Sequence, residues 1–205
     1  MKDLGVVFTS DLKFDVHIKN SISKAYRNLG FIIRQGKIFK NNSTLVNLYF
    51  SFVRSHLEYN SIVWYPSSLR SIKLIEAVQI KLLKSLYLRN HGVYPFMVAN
   101  SQLLKEFKLN SLQQRRDIAS LVYLHKILNG LASNSYLLSK ISLYVPAVTG
   151  RPRQIFYIPR VHTVQCYNSP LLNMLRKHNE MCKEVNIFGC SCKLFVNAIC
   201  SYRFQ

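Results

Sequence analysis

Ile18-Lys19-Asn20-Ser21-Ile22-Ser23-Lys24-Ala25-Tyr26-Arg27-Asn28-Leu29-Gly30-Phe31-Ile32-Ile33-Arg34 is the stretch whose period decides the fold class. Its apolar residues Ile18, Ile22, Ala25, Leu29, Ile32 and Ile33 recur at helical spacing, and at about 100° per residue they share one face. Lys24, Arg27 and Arg34 fall on the opposite side. The segment predicts an amphipathic helix with a basic back.

Upstream, Leu4 to Phe8 is a short apolar, β-branched run ending at Thr9-Ser10-Asp11, which predicts a strand and a turn. Downstream, Asn42 or Ser43 is a good N-cap for a second helix with apolar face Leu45, Leu48, Tyr49, Phe52 and Val53, continuing to about Leu57. Tyr59 to Pro66 holds the only tryptophan, Trp64, and Pro66-Ser67-Ser68 breaks it. A third helix carries Ile72, Ile75, Val78, Gln79, Leu82, Leu83 and Leu86 on one side and Lys73, Lys81 and Lys84 on the other. His91 to Pro95 reads as a loop. Ser111 and Gln114 have capping-box spacing for a helix that Gly130 stops, with core positions Leu112, Ile118, Leu121, Val122 and Leu128. Pro146 to Pro159 reads as extended, and a last helix follows Phe188. The fold class is mainly α, with a short N-terminal strand or hairpin.

At 205 residues and 49% hydrophobic composition, the chain can bury a core. Its charge is lopsided: 28 Lys and Arg against 9 Asp and Glu, a formal net charge of +19. That excludes an ordinary soluble enzyme of balanced charge and points to a polyanion, either nucleic acid or an acidic membrane surface. The excess is spread evenly, with 14 basic and 5 acidic residues up to Leu103 and 14 and 4 after it, so it is no disordered basic tail. No apolar run approaches the roughly 18 residues of a spanning helix, and the N-terminus lacks the pattern of a secretory signal. All five cysteines (Cys166, Cys182, Cys190, Cys192 and Cys200) lie in the last quarter, an odd count unlike a disulfide framework. The expectation is an intracellular protein, nuclear or cytoplasmic, with reduced thiols.

Several chemistries find no support. No two of the nine acids are adjacent, whereas a two-metal polymerase or nuclease site needs clustered carboxylates to hold cations about 4 Å apart. There is no glycine-rich phosphate loop and no G-x-S-x-G elbow. The six histidines stand singly. The spacing of Cys182, Cys190, Cys192 and Cys200 is not the C-x2-C pair that clips a turn around zinc, and it fits a small-residue role in a helix. Arg115-Arg116 and Arg151-Pro152-Arg153 are suited either to contacting phosphates or to a solvated basic face.

Leu4-Gly5-Val6, Leu12, Phe14, His17-Ile18 and Ala25-Tyr26-Arg27-x-Leu29-Gly30 together resemble the end of the reverse transcriptase of jockey-like non-LTR retrotransposons. The block Leu48-Tyr49-x-x-x-Val53-Arg54-Ser55-x-Leu57-Glu58-Tyr59-x-Ser61-x-Val63-Trp64-x-Pro66 resembles that family most closely. Ile75-Glu76-x-Val78-Gln79, Tyr94-Pro95, Leu112-x-x-Arg115-Arg116, Lys126, Gly130, Pro146, Arg151, Pro159-Arg160 and Ile187-Phe188 continue the resemblance along essentially the whole chain. Thr9 departs from the Asp usual in the family, and Lys84 from the common Arg.

The resemblance implies that Leu4 and Gly5 lie on the last strand of the polymerase palm, adjacent to the primer grip. The helices that follow would form a thumb-like bundle and a C-terminal extension holding the template–primer duplex. The implied division is residues 1–18 as the end of the palm, 19–92 as thumb-like helices, and 93–205 as the extension, with a Pro/Arg-rich extended segment at 146–160. The family's catalytic aspartates lie upstream of Leu4-Gly5, so the chain is expected to begin after the active site. It would then have no polymerase activity alone and no cofactor of its own, since Mg2+ would belong to the palm.

The function expected is a non-catalytic fragment of an RNA-directed DNA polymerase. Its partner would be RNA or DNA gripped without sequence preference by Lys24, Arg27, Arg34, Lys73, Lys81, Lys84, Arg115 and Arg116. The alternative is a functionless or protein-docking remnant of a decayed transposable element, which could dock onto another polymerase chain. Membrane binding is disfavoured because no helix pairs Trp or Phe anchors with a consistent basic flank. Glu58, a lone carboxylate in an apolar block, is expected beside a basic partner or a helix N-terminus.

Overall fold

The computed structural model describes residues 1–144, 154–181 and 186–202. The expected extended stretch at 146–153, including Arg151-Pro152-Arg153, lies outside them, as does Cys182. The described chain is mainly helical, with a two-stranded antiparallel hairpin at the N-terminus. It divides into two compact units, Met1–Arg115 and Arg116–Gln205.

The hairpin pairs β1 (Lys2–Asp3) with β2 (Val6–Val7), Lys2 opposite Val7 and Asp3 opposite Val6. Leu4 and Gly5 are therefore not strand residues, as the apolar run suggested, but the two-residue turn. Both have positive φ, 42° and 85°. Such turns match the right-handed twist of the flanking strands, and glycine takes the second position without the steric cost that leucine carries at the first. The Tyr59 hydroxyl donates to the Leu4 carbonyl (3.0 Å) and Val6 is buried, which docks the hairpin on the helices.

The first helix, α1 (Asp15–Gln35), buries Ile18, Ala25, Leu29 and Ile32, with Ile22 and Ile33 half-buried beside them. This is the seam expected from the period. A 3-10 turn at Gly36–Ile38 ends it. The next helix, α2 (Asn42–Tyr49), starts at N-cap Asn41, whose side chain accepts from the Ser43 N–H at 3.0 Å. It continues through a π-helical turn, Phe50–Arg54, into α3 (Ser55–Glu58).

The buried seam of this rod is Leu45, Tyr49, Val53 and Leu57, spaced by four. In a plain α-helix a four-residue repeat drifts by about 40° per step, and the wider π turn takes up that drift. Phe52, expected in the face, is instead 56% exposed. The π turn keeps the seam on the every-fourth residues and leaves the neighbouring row outside.

After the turn around Trp64, whose indole N–H donates to the Tyr59 carbonyl (2.7 Å), α4 (Leu69–His91) runs from N-cap Ser68 to Gly92 at φ 69°. Ile75, Val78, Gln79, Leu82, Leu83 and Leu86 are buried as expected. The cross-contacts set the directions. His17 meets Trp64 (ring centroids 5.3 Å apart), Tyr26 meets Lys81, and Arg89 donates to the Gly36 carbonyl (2.7 Å), so α1 and α4 run parallel. Asn28 bonds Phe52, Tyr49 bonds Gln79 and Asn42 bonds Asn90, so the α2–α3 rod runs antiparallel to both. The first unit is thus an up-down-up helical bundle. A short helix absent from the sequence reading, α5 (Asn100–Glu106), packs on α4 through buried Leu103.

The next long helix, α6 (Leu112–Leu128), begins at the expected capping box: Gln114 N–H donates to Ser111 Oγ and Ser111 N–H to Gln114 Oε1, both at 3.1 Å. Its buried face departs from expectation. Leu112 and Leu121 are buried, but Ile118, Val122 and Leu128 are only half so, and Arg116, Asp117, Ser120, Leu124, His125 and Ile127 take the interior.

Within the second unit follow α7 (Ser135–Ser139), α8 (Val164–Tyr167), α9 (Pro170–Met181) and α10 (Cys192–Tyr202). Phe156 makes an isolated antiparallel bridge with Leu143, and the Asn179 side chain clamps its backbone from both sides (3.2 and 2.8 Å). The buried apolar residues of this unit include Phe156, Met174, Leu175, Phe195 and Ile199, with Leu121 and Leu124 of α6.

Candidate nucleic-acid interface

The geometry of the basic surface follows from which residues the helices bury. On α1 the seam leaves Arg27 and Arg34, two turns apart, directly opposite the core, both exposed. Lys24 is also exposed but lies on the flank from which Asn28 donates to the Phe52 carbonyl (2.8 Å). On α4 the back carries Lys73, Lys81 and Lys84, the first two exposed and the third half-buried. The Lys81 Nζ lies 5.3 Å from the centroid of the Tyr26 ring, so the α4 back reaches the edge of the α1 seam. The Lys84 Nζ lies 5.8 Å from the Tyr94 ring in the turn after α4. The fold therefore brings Lys73, Lys81 and Lys84 onto one stripe beside the α1 back and sets Lys24 apart.

The charge balance is locally one-sided. The first unit holds 17 Lys and Arg against 6 Asp and Glu, and four of the six acids are engaged elsewhere. Asp11 pairs with Lys13 (2.9 Å), and with the Thr9 hydroxyl donating to it as well its carboxyl is held down at about 2. Glu106 meets His91 (2.9 Å). Glu76 accepts from the Leu112 and Gln113 N–H groups (3.2 and 2.6 Å), where the start of α6 favours negative charge. Glu58 holds Arg115 in a two-pronged pair (Nη2 to Oε2, 3.0 Å) with Arg54 at 3.7 Å, the basic partner expected of it. Among the described residues none of Lys24, Arg27, Arg34, Lys73, Lys81 or Lys84 forms an ion pair.

Two of the expected phosphate contacts need correction. Arg115 is spent on Glu58, which holds its guanidinium protonated and ties the start of α6 to the end of α3. Arg116 is 1% exposed and so lies in the interior, not on a basic surface. Neighbouring positions on a helix point about 100° apart, and a dipeptide of like charge hides which of the two is buried. The aromatic partners Tyr26 and Tyr94 were not among the expected site residues. The signal that could have found Tyr26 is its place three residues before Leu29, at the edge of the apolar seam, where a side chain with an apolar body and a polar tip is suited.

Leu4 and Gly5 lie at the hairpin tip, Leu4 77% exposed. Among the described residues there is no group of three or more His, Cys, Asp and Glu able to hold a metal, and no helix is long and apolar enough to cross a membrane. Comparison with protein-family models, with curated proteins and with solved structures finds no match.

Proposed function

We propose that the chain is a nucleic-acid-binding module, a thumb-like helical bundle from a retroelement RNA-directed DNA polymerase, without catalysis of its own. What supports the binding part of this reading is the set of cations on α1 and α4 that form no ion pair among the described residues, while four of the six carboxylates of the first unit are engaged elsewhere. The retroelement part rests on the resemblance of the Leu48–Pro66 block. Rigid helices with fixed, outward cations track a phosphate backbone without reading bases. Nothing in such an arrangement distinguishes one sequence from another.

The test is a titration of duplex and single-stranded oligonucleotides over a range of salt. Affinity should fall steeply, with a log–log slope of about 0.9 per phosphate neutralised on B-form DNA. Lys81→Ala with Lys84→Ala should weaken binding to all sequences alike and flatten the slope by about 1 to 2 contacts' worth. Both residues lie on the polar side of α4, so the fold should be kept. Binding that ignores salt, or a double variant that changes sequence preference instead of the slope, would overturn the reading.

A further inference from the structure

The turn after α4 carries more than charge, and we propose that it is a stacking platform for the bases of single-stranded nucleic acid. Tyr94 and Phe96 are 40% and 84% exposed, with ring centroids 4.7 Å apart and planes inclined at 57°. Between them Pro95 is buried, and the Phe96 N–H donates to the Tyr94 carbonyl (2.9 Å), closing a three-residue turn centred on the proline. The proline pins the backbone inward while both rings project outward. Lys84 covers Tyr94 with its ammonium, and Phe96 presents its ring to solvent. One turn back along α4, Lys81 sits against Tyr26.

Cations and rings thus lie side by side along one edge, the combination that a single strand requires: phosphates beside the ammonium groups, an unpaired base against an aromatic face. A duplex offers the same phosphates but keeps its bases stacked inside. The inference rests on the basic-face reading above and adds a preference that charge alone does not supply: single strand over duplex, mediated by Phe96.

The experiment compares the unaltered 205-residue chain with Phe96→Ala, Phe96→Trp and the Lys81/Lys84 double alanine variant, on an oligo(dT) single strand and a duplex of equal length. Phe96 is exposed, so its replacement should leave the helical circular dichroism unchanged. Phe96→Ala should lose about five-fold or more in single-strand affinity, with duplex affinity and the salt slope unaltered. Phe96→Trp should keep the affinity, and its emission should be quenched by oligo(dT) but not by duplex. The native tryptophan, Trp64, is 1% exposed, so its emission is a constant background that the oligonucleotide does not reach. Equal losses on both ligands, or no loss on either, would overturn the platform while a salt-dependent loss in the lysine variant left the basic-face reading standing. Loss of neither salt dependence nor affinity in the lysine variant would instead remove the reading on which the platform rests.

Discussion

At the scale of single residues, His178 shows what burial does to an ionisable group. It is 1% exposed, its ring meets Phe156 edge-on (4.9 Å), and neither ring nitrogen has a hydrogen-bond partner among the described residues. Desolvation pushes its pKa down to about 4 from the ordinary 6.5. The unfolded chain takes up this proton below about pH 6.5 and the folded chain only near 4, so the residue withdraws stability from the second unit as pH falls through that interval. The loss should reach up to about 3 kcal/mol. Denaturant midpoints at pH 7 and pH 4.5 should lie closer together in His178→Leu than in the unaltered protein. An unchanged gap would mean that other groups set the acid sensitivity. None of this was legible in the sequence, where His178 is one of six scattered histidines and nothing marks which will be enclosed. Glu58 was legible because a lone acid inside an apolar block must find a partner. Arg116 was not, because its charge gave no hint that it faces inward.

At the scale of elements, long amphipathic helices were readable and short or irregular ones were not. α1 and α4 repeat their apolar residues over more than four turns, which fixes both the helix and its inward face. α5 and α7 span 7 and 5 residues, too few for a period to emerge. The start of α9 did carry a local sign, Ser169 before Pro170, since proline is favoured at the first helical position. The rod of α2 and α3 differs: its buried period is four across the π turn, whereas a 3.6 period places Phe52 inside. Besides the shared apolar core, a buried polar chain ties that rod to α4, also visible only in three dimensions. The Tyr49 hydroxyl donates to Gln79 Oε1 and the Gln79 amide donates to the Asn110 carbonyl, each at 2.9 Å. Burial raises the Tyr49 pKa far above the ordinary value, so the hydroxyl stays a donor throughout the working range. Tyr49→Phe keeps the ring but strands the Gln79 oxygen in the interior, and it should cost about 1–3 kcal/mol. Urea unfolding should show this as a lower midpoint with an unchanged slope. A variant as stable as the parent would mean that water or a rotated amide satisfies Gln79.

At the scale of the whole molecule, the charge of +19 acts on folding and on binding with opposite sign. Self-repulsion among cations opposes the compact state, and salt relieves it by shortening the screening length from about 10 Å at 0.1 M to about 3 Å at 1 M. The same screening weakens a grip on phosphates. Raising NaCl should therefore raise thermal stability in the free protein and remove whatever stabilisation an oligonucleotide confers at low salt, since a ligand that binds only the folded state adds stability in proportion to its occupancy. The two effects separate by place. The candidate cations lie on α1 and α4 of the first unit, whereas the second unit has its own buried set around Phe156 and Phe195. Amide hydrogen exchange should show oligo(dT) at low salt slowing exchange in α1 and α4 while α9 and α10 exchange as before. Salt without oligonucleotide should slow exchange in both units. Protection by oligo(dT) centred on α9 and α10 would relocate the nucleic-acid surface to the second unit and leave the α1–α4 stripe as solvated charge.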